Sequence, residues 1–95
     1  MRMYVVSYSI ADDQVRAGLE KILFESPGWC SYFPGTWIIV TAEAPHALTA
    51  RVKDFLAAAD RLLIMEVKPN GQYSGWLPED AWKWVQTAGT LISQQ

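Results

Sequence analysis

The sequence predicts an α+β fold: one four-stranded antiparallel sheet with two helices on one face, then a short C-terminal strand and helix. Three observations carry this. Runs rich in Val, Ile, Tyr and Trp stand at 3–10, 29–33, 36–41 and 62–67, and such residues suit a pleated, half-buried surface. Between them lie two segments whose apolar residues recur at i, i+4, i+7 and i+8, the stripe of a one-sided helix. Pro and Gly pairs punctuate the joins. The resulting order is β-α-β-β-α-β, the split βαβ arrangement.

In the first strand, Tyr4, Val6, Tyr8 and Ile10 take one face, and Val5, Ser7 and Ser9 take the other. Asp12 or Asp13 then caps a helix, because a carboxylate there accepts from free backbone N–H groups. Val15, Leu19, Ile22 and Leu23 form its apolar stripe, and Ser26-Pro27-Gly28 stops it. Pro34-Gly35 turns strand 29–33 into strand 36–41, with Pro fixing φ at the second turn position and Gly accepting positive φ at the third. Pro45 starts a second helix with the stripe Leu48, Val52, Phe55 and Leu56. Asp60 marks a turn into LLIMEV, which is apolar on both faces apart from Glu66 and reads as a central strand. The face bearing Val5, Ser7 and Ser9 needs a cover, and a second copy of the chain is the expected one.

Beyond residue 68 the pattern changes. Asn70-Gly71 signals a tight turn. Residues 72–76 suggest a short fifth strand that folds back or reaches a partner's sheet edge. Pro78 opens a third helix, with Glu79 and Asp80 in its first turn, Trp82, Val85 and Trp84 on its apolar face, and Gly89 as its end. Residues 1–95 thus form one domain, with a core at 1–68 and an extension at 69–95.

Composition narrows the function classes. Half of the 95 residues are apolar and 19% are charged, which suits a folded domain with a modest core. No apolar run reaches the ~18 residues of a membrane span, so no membrane partner is expected. The single cysteine, Cys30, cannot form an internal disulfide and reads as a small half-buried hydrophobe; the expected setting is cytoplasmic. The net charge is −2 and the eight basic residues are scattered, with none between Ile22 and Ala50. That is a poor match to a phosphate-backbone groove, which needs clustered Lys and Arg. His46, the only histidine, has no Asp or Cys partner nearby in sequence, Gly35-Thr36 lacks the Lys of a phosphate loop, and no Cys/His cluster suggests zinc.

The stretch YSIADDQVRAGLEKIL resembles the opening of the small CRISPR-associated adaptation endoribonucleases and of their relatives, the virulence-associated protein D toxins. Arg16 sits where those families carry an early helix Arg. Ser31 to Trp37, Asp60-Arg61-Leu62-Leu63, Gly75-Trp76-Leu77-Pro78 and Ala81-Trp82-Lys83-Trp84 resemble a bacterial branch of that superfamily with a Trp-rich C-terminal helix. The resemblance spans most of the chain on short motifs. It implies a ferredoxin-like fold, a homodimer and an ancestry in nucleic-acid chemistry.

One departure governs the functional expectation. In the nuclease members, the Asp after the strand's Tyr is the metal-linked acid, one from each protomer meeting at the dimer axis beside Mg²⁺. Here that position is Ser9, and an uncharged hydroxyl is a poor Mg²⁺ ligand. The candidates for retained chemistry are Ser9, Asp12 and Asp13, with Asp12 either a helix cap or a water-bridged Mg²⁺ site. Arg16 and Trp37 are candidate nucleic-acid contacts, since aromatic rings can stack on bases, although burial competes for the Trp. Val5, Ser7, Ser9, Tyr73 and Trp76 are the expected dimer interface. Three readings stand: a homodimeric, non-catalytic module that binds or scaffolds nucleic acid or protein in a defence or toxin–antitoxin setting, without a cofactor; an Mg²⁺-dependent endoribonuclease using Asp12 or Asp13; and a dimer that binds a small ligand or protein, unrelated to nucleic acid. The first is the expectation.

Overall fold

The computed structural model describes residues 1–68 and 74–93, with side chains only as far as Ala88. Eight residues, Arg2–Ser9, form β1; α1 is Asp13–Phe24, β2 Gly28–Phe33, β3 Thr36–Thr41, α2 Pro45–Ala50, β4 Arg61–Val67 and α3 Glu79–Ser93. The strands make one four-stranded sheet in the order β2-β3-β1-β4, each neighbouring pair antiparallel. The expected α+β class, the antiparallel sheet and the β-α-β-β-α-β order are all present.

Strand β1 is paired on both sides, and its alternation divides the molecule. Tyr4, Val6 and Tyr8 point to the helix face, where they join Leu19 and Leu23 of α1, Trp37 and Ile39 of β3, and Leu48 and Val52. All four residues of the predicted α1 stripe reach this core. Each fully buried Leu or Val there contributes about 1.5–3 kcal/mol from removal of apolar surface from water. The Tyr4 hydroxyl is not stranded inside, because it donates to the Glu43 carbonyl at 2.7 Å.

The hairpin turn is as expected. Gly35 has φ +76°, and Tyr8 N–H donates to its carbonyl at 2.9 Å. A Cβ at Gly35 would lie 2.8 Å from the Tyr8 carbonyl oxygen. Both the left-handed backbone and this close approach call for glycine.

Four expectations need correction. First, β4 is an edge strand, not a central one. Its apolar character on both faces follows from packing Leu62 and Ile64 against the core while leaving Leu63 and Met65 54% and 55% exposed on the other face. Second, the second helix stops at Ala50. Val52 leaves helical geometry (φ −126°, ψ −14°) and a 3-10 turn follows at Lys53–Phe55. The tighter turn rotates the stripe, so Leu56 packs on the core and Phe55 stands 69% exposed. Third, α3 runs past Gly89 to Ser93. Fourth, part of the second sheet face is covered from within the chain: Trp84 and Ala88 of α3 pack with Met3, Ile38 and Val40, and the Trp84 ring lies 3.6 Å from the position a Gly28 Cβ would take. Ser74–Trp76 forms no strand; the rest of the expected fifth strand and the Asn70-Gly71 turn lie outside the described residues.

Replacing Gly35 with Ala is expected to lower stability by about 2 kcal/mol or more, from the left-handed φ and the contact with Tyr8. Urea unfolding of the two proteins checks this. An unchanged midpoint would mean the turn adopts another geometry.

Candidate functional site at the end of the first strand

The loop after β1 is held at both ends. Asp12 caps α1, its Oδ1 accepting from Gln14 N–H at 2.9 Å and Val15 N–H at 3.0 Å. Asp13 pairs with Arg16 one turn along the helix, and Arg16 also donates to the Ile10 carbonyl at 3.0 Å. From the start of the neighbouring strand β4, Asp60 accepts from Ala11 N–H at 3.2 Å and from Ala57 N–H at 2.9 Å. Three acids therefore surround this loop, and each is committed to a backbone or ionic partner that orders it.

Ser9 stands apart from them. It is exposed at the end of β1 and lies across from Arg61 of β4. Arg61 in turn donates to the carbonyls of Ala58 and Asp60 at 3.0 and 2.8 Å. Among the described residues, no group of three or more His, Cys, Asp or Glu side chains is placed to hold a metal ion.

On the helix face behind the loop lies a polar relay that the sequence gave no spacing cue for. The Tyr8 hydroxyl donates to Glu20 Oε2 at 2.5 Å and accepts from Trp37 Nε1–H at 2.9 Å. Burial, then the hydrogen bond to Glu20, pushes the Tyr8 hydroxyl up to about 12, with Trp37 acting in the opposite direction. Trp37 is 5% exposed and packs edge-on to Phe24 at 4.8 Å, with Trp29 at 5.4 Å. Its ring is a core element, with little face left for a base, whereas Trp29 and Phe24 are part-exposed. Arg16 is tied to Asp13 and to the Ile10 carbonyl.

The opposite face is the more distinctive surface. Val5, Ser7 and Ser9 of β1 lie beside Met65, Leu63 and Arg61 of β4, in register. α3 packs beside Met3, Ile38 and Val40 and leaves Leu63 and Met65 bare. Sequence reasoning placed Val5, Ser7 and Ser9 here but missed Leu63 and Met65. The available signal was the double-faced apolarity of LLIMEV, which was assigned to burial. Trp76 is 98% exposed; Tyr73 lies outside the described residues.

Other candidates are quieter. Cys30 is buried, and burial, with the charge of Asp80, pushes its thiol up, away from nucleophilic chemistry. Asp80 instead accepts from the Tyr32 hydroxyl at 2.9 Å, fastening the start of α3 to β2. A groove of about 310 Å³ on the helix side is lined by Val15, Gly18, Ile22, Val52 and Phe55. The Arg51 beside it is already paired with Glu43 and Glu25, at 3.3 and 3.7 Å. No described helix is long and apolar enough to cross a membrane. No family model, curated protein or solved structure matches the chain.

Two outcomes follow. Asp12→Ala is expected to cost about 1 kcal/mol of stability through loss of the cap, read by chemical unfolding, and added Mg²⁺ should not change the stability of either protein. Tyr8 favours its neutral form in the fold, so its contribution is complete below the ordinary tyrosine range near 10 and is lost as pH rises toward 12. Tyrosinate absorbance should show one strongly delayed group in wild type that is missing from Tyr8→Phe.

Proposed function

We propose that this chain is a ferredoxin-like homodimer that works as a binding or scaffolding module, a non-catalytic member of the adaptation endoribonuclease-like superfamily. The strand order β2-β3-β1-β4 with α1 and α2 on one face supports the fold reading. A single observation carries the function: on the open half of the sheet, formed by β1 and β4, Arg61 is the only charged residue among the described residues. The rest of that open face is Val5, Ser7, Ser9, Leu63 and Met65, while Met3 and Val67 lie in the cluster with Ala88 of α3. A partner covering that face would meet apolar and hydroxyl groups and no acids. Mg²⁺ chemistry on phosphate needs carboxylate oxygens, and those around the loop after β1, on Asp12, Asp13 and Asp60, are engaged with backbone N–H groups or Arg16.

An uncharged apolar face suits protein contact, while a phosphate backbone selects for clustered cations. A protein surface, first of all the chain's own copy, is therefore the preferred partner over RNA or DNA. A defence or toxin–antitoxin setting follows from the resemblance alone.

The test is a paired nuclease assay. Wild type is expected to leave labelled RNA and duplex DNA intact with Mg²⁺ or Mn²⁺, as it does with EDTA. Cleavage by wild type that EDTA stops and Asp12→Asn removes would overturn this reading.

A further inference from the structure

The outer edge of β4 is a continuous, unblunted strand edge. Seven consecutive residues, Arg61 to Val67, stay in register with β1, and the strand contains no proline. Among the described residues nothing pairs with its other side. Edges of this length are usually protected by a bulge, a proline or a lysine in the middle.

Which backbone groups face outward follows from the ladder. Tyr8 N–H donates to Gly35, so Tyr8, Val6 and Tyr4 turn their backbone polar groups toward β3. The alternate residues of β1 turn theirs toward β4. They meet Arg61, Leu63, Met65 and Val67. The N–H and C=O groups of Leu62, Ile64 and Glu66 therefore point away from the sheet.

We infer that two copies of the chain join edge to edge through β4, antiparallel about a twofold axis at Ile64, making one continuous sheet from two four-stranded ones. This rests on the homodimer reading above and specifies which surface joins. An isologous contact must be self-complementary, and this register is. It sets Ile64 against its own mate and Leu62 against the mate of Glu66, so all outward backbone groups are paired. On the bare face it sets Leu63 opposite the mate of Met65, twice, joining the two apolar patches. At the ends it brings Asp60 opposite the mate of Lys68. Moving the axis to Leu63 would oppose Asp60 and Glu66, two like charges. Moving it to Met65 would put Glu66 against Ile64 and split the Leu63–Met65 pairs.

The experiment is sedimentation of the full chain over a concentration series, with circular dichroism as the folding control. Wild type is expected to dimerise. Glu66→Pro removes an outward N–H at an exposed position and spares the β1 ladder, so it should raise the dimer dissociation constant about tenfold or more. Should that variant misfold, a charge series decides. Leu63→Lys and Met65→Glu should each weaken the dimer, and the double variant should regain affinity, because positions 63 and 65 oppose each other across the axis. A wild-type dimer indifferent to Glu66→Pro and to the charge series would overturn the β4 edge and leave the homodimer reading standing. A wild-type monomer throughout would overturn both.

Discussion

The structure depends on the alternation of one central strand. β1 is bonded on both edges, so its side chains have only two places to go, and a period of two assigns them without exception. Tyr4, Val6 and Tyr8 enter the helix-side core, while Val5, Ser7 and Ser9 line the opposite face. A slip of one residue in register would exchange these sets. It would bury two serines and expose two tyrosines, with the loss of the Tyr4 bond to Glu43 and the whole Tyr8–Glu20–Trp37 relay. The polar handles on the buried tyrosines therefore add register specificity to a core that burial alone would hold together.

Much of the fold was legible because it rests on local rules. The Asp12 cap, the α1 stripe and the Pro34-Gly35 turn are each decided within a few residues, and each is present. What was not legible depends on neighbours distant in sequence. LLIMEV has the composition of a central strand. It sits at an edge because β1 and β3 take both central places, and no property of its own six residues records that. The second helix continues its apolar period through Phe55, but the chain must turn at Val52 to bring Leu56 inward, and the core overrides the period.

The candidate site divides along the same line. Ser9, and the absence of an acid beside it, could be read directly. That Asp12, Asp13 and Asp60 are all engaged around one loop could be read only in part, because Asp60 binds Ala11 from 49 positions away in sequence. The Tyr8 relay joins residues 12 and 29 positions apart, a separation at which single-sequence patterns carry no information. α3 also alters the balance of exposed surface. By covering Met3 and Val40 it leaves the Leu63–Met65 patch of that face open, next to the unpaired edge.

The serine at position 9 is not something the fold demands. The position is exposed and lies across from Arg61, so a carboxylate there would gain a cross-strand cation and break no contact in the core. Folding would accept an acid, and the same holds at Ser7 only less freely, since it is half-buried beside Leu63 and Thr36. A residue that folding leaves open is set by what the surface meets. An uncharged β1 seam beside the exposed Leu63 and Met65 is therefore a surface whose character folding does not dictate. The loop acids are left to order the backbone rather than to supply ligands.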